Sequence, residues 1–147
     1  MSTDAASYVL DSFALLAYLG GERGMARVRE VLDNSAQGKC RALLSLISLG
    51  EVLYILERER SLPKAQQALA AIEQLPLEIL PASRDAVLAA AHVKARFPLA
   101  YADAFVVAAA QQHEATILTG DPEFAGVQSL VRVEWLPGSR HSAGGAD

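Results

Sequence analysis

The chain has 147 residues, of which 52% are apolar and 20% charged, a composition that predicts one globular domain and excludes a disordered chain. Its 13 basic and 17 acidic residues give a net charge of −4, so the basic excess of many nucleic-acid-binding domains is absent. This balance does not exclude RNA or DNA, because four acidic residues neutralised by a metal ion would leave equal numbers of the two signs.

The first half of the chain alternates short apolar runs with helical patterns. Residues 8–10 have the β-branched and aromatic character of a short buried strand. A helix is predicted over 12–19, where two glycines end it, and a second over about 22–35. A turn at 37–39, a buried strand at 41–46 and a long helix over about 48–60 follow.

Prolines divide the second half. Pro63 suits the first turn of a helix that runs to about residue 75. Strands are predicted at 77–80, 116–119 and 131–135, helices at about 83–97 and 101–114, and a turn at 120–122. This alternation predicts an α/β fold with a mainly parallel sheet of short strands covered on both faces. We assign residues 1–136 to a single domain and expect 137–147, rich in small residues, to be a disordered tail.

Cysteine content and hydropathy bear on where the protein works. Cys40 is the only cysteine and cannot form an intramolecular disulfide, so nothing indicates an oxidising compartment. The first five residues lack the basic start of a signal peptide, and no uncharged apolar run approaches the roughly 18 residues of a membrane helix. We therefore expect a cytoplasmic protein without a membrane partner.

Two carboxylates follow predicted strands. Asp11 comes after the strand at 8–10 and before a helix, at the carboxyl edge of the sheet, where open α/β folds bind ligands. The alternative is that Asp11 or Ser12 caps that helix, since both residue types are favoured there. Asp121 follows the strand at 116–119, and the sequence Asp121-Pro122-Glu123 is also typical of a helix start.

Two further carboxylates lie in apolar helical patterns, where an unpaired buried charge is strongly unfavourable. Glu51 has mostly apolar neighbours three and four residues away, and an ion pair with Arg58 is the alternative to a role in a site. Asp103 lies in the stretch 99–110, which contains no basic residue. It would be a helix cap only if its helix began there, and otherwise needs a metal ion or a distant partner.

Together these carboxylates predict a metal site. Three of the four lie beyond a strand end or at the start of the next helix, positions that converge on one edge of a parallel sheet. Two carboxylates about 4 Å apart repel by ~4 kcal/mol at an effective dielectric constant near 20, so four need protons or a cation among them. Oxygen ligands without histidine or cysteine select Mg²⁺ or Mn²⁺, and such a cluster supports phosphodiester hydrolysis.

Four segments carry a resemblance to a known family. Residues 9–12, 47–52, 101–105 and 118–124 read VLDS, ISLGEV, YADAF and LTGDPEF. In this order and at these intervals they resemble PIN-domain ribonucleases, and more narrowly VapC-type toxins of bacterial toxin–antitoxin pairs. The resemblance covers nearly the whole chain up to the tail.

The resemblance implies a PIN-like three-layer α/β/α sandwich and a Mg²⁺-dependent endoribonuclease in which Mn²⁺ can substitute. It also implies an RNA substrate, a homodimer, and a cognate VapB-type antitoxin that covers a hydrophobic groove and blocks the site. Asp11 and Asp103 would be the main metal ligands, Glu51 would assist and Asp121 would be more peripheral. Ser12 and Thr119 match polar positions beside the family's site and would bind water or phosphate.

Two other functions compete with a nuclease. One is a PIN-like module that binds RNA or protein without cleaving it, although binding alone gives no reason for four mutually repelling carboxylates. The other is a phosphoacceptor or phosphatase domain with Asp11 as nucleophile, but the chain lacks an aspartate two residues later and an obvious strand-end lysine. The three scattered histidines do not indicate a histidine general base.

Overall fold

A five-stranded parallel sheet forms the centre of the molecule. The structure, a computed structural model, describes residues 6–137. The sheet order is β3-β2-β1-β4-β5, and every neighbouring pair is parallel, which confirms the predicted mainly parallel sheet. In chain order the strands are β1 (Ala6–Leu10), β2 (Cys40–Ser45), β3 (Glu78–Leu80), β4 (Thr116–Thr119) and β5 (Val133–Trp135).

Helices connect the strands and cover both faces of the sheet. A short 3-10 helix, Pro122–Val127, follows β4 and agrees with the helix start that Asp121-Pro122-Glu123 indicated. In the part of the chain that the structure describes, no helix is both long and apolar enough to cross a membrane. The α-helices are α1 (Ser12–Leu19), α2 (Met25–Ala36), α3 (Leu46–Glu59), α4 (Leu62–Ile72), α5 (Arg84–Arg96) and α6 (Tyr101–His113).

Two apolar cores lie on opposite faces of the sheet. Side chains of β1 and β2 alternate between them, because successive residues of a strand point to opposite faces. Val9 and Leu43 pack in the core that contains α5 and α6. Leu10 and Leu44 pack in the core formed with α1, α2, α3 and α4. This arrangement confirms the three-layer α/β/α sandwich.

The ends of several elements differ from the predictions. Helix α2 begins at Met25 rather than at about residue 22, because Gly24 has a left-handed φ of 94°, which glycine adopts without steric cost. Helix α3 begins at Leu46, two residues earlier than predicted, because Ser45 caps it by accepting a hydrogen bond from Ile47 N at 3.1 Å. The disordered tail was predicted over residues 137–147, of which 138–147 lie outside the described residues.

The register of the sheet aligns the ends of its three central strands. Leu10 of β1 is paired with Leu44 of β2 on one side and with Leu118 of β4 on the other. The next residues along these chains, Asp11, Ser45 and Thr119, therefore lie side by side at the carboxyl edge of the sheet. This edge is where the sequence placed the candidate site.

Candidate active site

Asp11 is buried at the end of β1, where both of its carboxylate oxygens accept hydrogen bonds. Its Oδ1 accepts from the backbone N–H of Ala14 at 2.8 Å, so Asp11 caps α1 as the capping alternative predicted. Its Oδ2 accepts from the hydroxyl of Thr119 across the sheet. The side chain is 1% exposed. Capping therefore uses one oxygen of Asp11 and leaves the other directed toward β4.

Thr119 joins two of the predicted site residues through one hydroxyl group. While this hydroxyl donates to Asp11, it accepts a hydrogen bond from the backbone N–H of Asp121 at 2.9 Å. Thr119 is fully buried, so water does not compete for these contacts. The described contacts of its hydroxyl are thus to protein groups, and they hold Asp11 and Asp121 in fixed relation.

Three carboxylates gather beside this pair. One oxygen each of Asp103, Asp121 and Glu123 lies within 4.8 Å of the others. Asp103 is the third residue of α6, which begins at Tyr101, so the alternative of Asp103 as the N-cap of this helix is wrong. Asp121 caps the 3-10 helix by accepting from Glu123 N at 2.9 Å. Asp121, like Asp11, therefore caps a helix and also belongs to the candidate site.

Burial and mutual repulsion dominate the electrostatics of this group. Burial raises the pKa of Asp11 from 3.8 to about 7, partly offset by the hydrogen bonds from Thr119 and Ala14, while the charge of Asp121 raises it further. Burial also raises the pKa of Asp103 well above its usual range, helped by its hydrogen bond to Glu123 and by the neighbouring carboxylates. The same hydrogen bond lowers the pKa of Glu123. These opposite pKa shifts mean that, without a cation, the proton of the Asp103–Glu123 hydrogen bond belongs to the Asp103 carboxyl group.

The residues of the site suit a divalent cation. The donor atoms are carboxylate oxygens, which hard cations such as Mg²⁺ and Mn²⁺ prefer. In residues 6–137, no salt bridge reaches Asp11, Asp103 or Asp121. The nearby base Lys94 lowers the pKa of Glu123, but its ammonium donates to the carbonyl of Leu99 at 2.7 Å. The chain thus supplies several negative charges at one place with little positive charge to balance them.

Sequence comparison assigns the chain to a family. A family model described as the PIN domain matches residues 8–130, which span all four of the predicted acidic positions. The chain belongs to the PIN domain family. A comparison with proteins of curated function gave no match for this PIN domain.

Solved structures share the fold of this PIN domain. VapBC2 from Rickettsia felis, solved bound to a DNA fragment from its promoter, matches with a TM-score of 0.71 and 17% identity over 88% of this chain and 98% of that chain. VapC20 from Mycobacterium tuberculosis, described as a sarcin-ricin loop cleaving toxin, matches with a TM-score of 0.63 and 18% identity, over 82% of this chain and 93% of that chain. FitAcB from Neisseria gonorrhoeae matches with a TM-score of 0.63 and 22% identity, over 86% of this chain and 95% of that chain. At these identities the similarity establishes the fold.

Glu51 stands apart from the compact acidic group of the PIN domain. It is half-buried on α3, a helix that packs against both α1 and α6. In the described part of the chain it forms no salt bridge, so the predicted alternative of an ion pair with Arg58 is absent. The guanidinium of Arg58 lies instead over the ring of Tyr54, 5.0 Å from its centroid. The role of Glu51 as a metal ligand stays a prediction.

Glu123 is the residue of the acidic group that sequence reasoning missed. Its place after Asp121-Pro122 indicated only the start of a helix. The structure confirms a helical turn there and anchors it through Phe124, which is fully buried. This anchor fixes the rotation of the turn and leaves Glu123 beside Asp103. Two acids separated by one residue were the available signal.

The structure gives Ser12 a position beside the site but no described contact with the acidic residues. It is the first residue of α1 and is half-buried, next to Asp11 in the chain. Its position as a binder of water or phosphate stays a prediction.

Proposed function

We propose that this PIN domain is a VapC-type toxin, an endoribonuclease that hydrolyses RNA phosphodiester bonds and depends on a divalent metal. One observation carries the proposal: Asp103 is buried in a group with Asp121 and Glu123, Asp11 is buried beside that group, and no salt bridge in residues 6–137 neutralises Asp11 or Asp103. Such an arrangement is unfavourable for folding alone and is explained by a cation site. The family match and the VapC-like fold support this interpretation.

In this proposal Asp11 and Asp103 are the main ligands of Mg²⁺, for which Mn²⁺ can substitute, with Glu51 assisting and Asp121 more peripheral. When bound, the ion supplies the Lewis acid that activates water and neutralises negative charge on the phosphate. The remaining work falls to the chain. The cap at Ala14 and the hydroxyl of Thr119 fix the orientation of Asp11. Ser12 would hold water or a phosphate oxygen at the start of α1.

The proposed partners follow from the related structures. The matches from Rickettsia felis and Salmonella typhimurium are VapBC complexes bound to DNA, which supports a VapB-type antitoxin for this chain. A groove of about 380 Å³ along α1 and α3, lined by apolar side chains together with Glu22, Glu59 and Arg60, offers such an antitoxin a surface. VapC20 cleaves the sarcin-ricin loop, which supports RNA as the substrate. We further propose that the protein is a homodimer and that it acts in the cytoplasm. We also propose that residues 1–136 form the single nuclease domain.

The experiment that tests this function uses antitoxin-free protein and a pool of structured cellular RNAs. Wild type and Asp103→Asn are compared with Mg²⁺, with Mn²⁺ and with EDTA. Discrete cuts that require metal and that only wild type makes would support the nuclease. Equal cutting by both proteins would identify a contaminant. If neither protein cuts RNA while metal still stabilises wild type, the non-cleaving binding module becomes the better explanation.

A further inference from the structure

The side chain of Glu123 connects the acidic group to the start of α6. Its Oε1 accepts a hydrogen bond from the backbone N–H of Ala100 at 3.2 Å. Ala100 is the N-cap residue of α6 and has no side-chain acceptor of its own. Because a carboxylate has two oxygens with several lone pairs, this single contact does not exhaust Glu123. Helix capping alone requires an acceptor, and a neutral glutamine would serve as well.

Asp103 gives the reason for a charge at position 123. Its side chain is 8% exposed, and in the described residues no N–H or hydroxyl group donates to its carboxylate. Its near neighbours are the carboxylates of Asp121 and Glu123. A buried carboxyl group whose described neighbours are two other carboxyl groups, one of them hydrogen-bonded to it, marks a place for a cation.

We propose that Glu123 is a fifth acidic residue of the metal site, in addition to Asp11, Glu51, Asp103 and Asp121. This inference rests on the proposed metal-dependent function. Glu123 contributes negative charge to the same cation that Asp103 binds, while its contact with Ala100 holds the side chain in place. The start of α6, which carries Asp103, is thereby connected to the 3-10 helix, which carries Glu123 and is capped by Asp121.

The test measures Mn²⁺ binding by calorimetry, together with thermal unfolding without metal, so that neither readout depends on RNA cleavage. Glu123→Gln keeps an oxygen that can accept from Ala100 N and removes the charge. Glu73→Gln is the matched control, since this glutamate is exposed directly after α4. We expect Glu123→Gln to weaken Mn²⁺ binding on the order of tenfold with an unchanged metal-free melting temperature, and Glu73→Gln to change neither.

Asp103→Asn separates this inference from the function on which it rests. If Asp103→Asn loses Mn²⁺ binding while Glu123→Gln binds as tightly as wild type, the role of Glu123 is overturned and the metal site stands. If wild type binds no Mn²⁺, the proposed function is overturned as well. If Glu123→Gln lowers the metal-free melting temperature as much as Glu123→Ala does, without weakening Mn²⁺ binding, Glu123 is only a cap.

Discussion

At the scale of single residues, the Asp11 carboxylate depends on one hydroxyl group. Thr119→Val removes the donor to Oδ2 of Asp11 and the acceptor for Asp121 N, and the buried Asp11 carboxylate is poorly placed to find water instead. We expect a loss of about 1–3 kcal/mol in the free energy of unfolding, measured by urea denaturation without metal. Thr119→Ser keeps the hydroxyl and should cost only about 0.8 kcal/mol for the lost methyl group. Equal stability of Thr119→Val and wild type would contradict the role assigned to this hydroxyl.

Asp103 presents the opposite case, a residue that destabilises the metal-free fold. Asp103→Asn removes a buried carboxyl group that lies against other carboxylates. We expect the metal-free variant to be as stable as wild type or more stable, and the stabilisation by Mg²⁺ to be abolished. Thermal melts with and without Mg²⁺ measure both effects. A large loss of stability without metal would instead identify Asp103 as a structural residue.

At the scale of elements, the turn between β4 and the 3-10 helix depends on a close approach. A Cβ atom added at Gly120 would lie 2.3 Å from Cε1 of Phe13 on α1, so the turn or the ring would have to move. This turn carries Thr119 on one side and Asp121 on the other. We expect Gly120→Ala to destabilise the protein by about 1–3 kcal/mol and to reduce its stabilisation by Mg²⁺.

Gly126 supplies the control for this substitution. It lies in the 3-10 helix, and a Cβ atom added there would meet nothing within 4 Å. Gly126→Ala should leave both the unfolding free energy and the effect of Mg²⁺ near wild-type values. If both alanine variants behaved alike, contact with Phe13 would not explain the glycine at 120.

The elements also show how far sequence reasoning reaches. Alternating strands and helices predicted the parallel sandwich, and isolated charges in apolar runs predicted that Asp11 and Asp103 would be buried at one edge. The predicted start of α2 was wrong because Gly24 has a left-handed φ, and a Cβ atom at this position would lie only 3.3 Å from Cβ of Leu136. Glu123 was missed because the direction of its side chain depends on the burial of Phe124, more than on any spacing along the chain.

At the scale of the whole molecule, the acidic group makes stability depend on pH. Because the folded-state pKa of Asp11 is raised to about 7, the folded protein binds this proton more tightly than the unfolded chain does. The resulting stabilisation is complete below about pH 3.8 and is lost as pH rises through 7. For Asp11 alone the loss is at most about 4 kcal/mol, and Asp103 extends it to higher pH.

Urea denaturation between pH 5 and about 8.5 measures this dependence. Without metal, the free energy of unfolding should fall as pH rises, and saturating Mg²⁺ should reduce the fall because a bound cation favours the ionised carboxylates. Asp11→Asn should make the metal-free profile less steep and leave the part that Asp103 contributes. A profile that Asp11→Asn leaves unchanged would show that this carboxylate does not titrate in the range described.

The order of the strands has a consequence for the growing chain during translation. β1 is made first, yet its place in the sheet is between β2 and β4, and the Asp11–Thr119 bond spans 108 residues. A nascent chain that has not yet reached β4 lacks Thr119, Asp121 and Glu123 together. Fragments released early from the ribosome would carry Asp11 and Glu51 but could not assemble the acidic group. Under the proposed function, truncated products that end before β4 should therefore be inactive as nucleases.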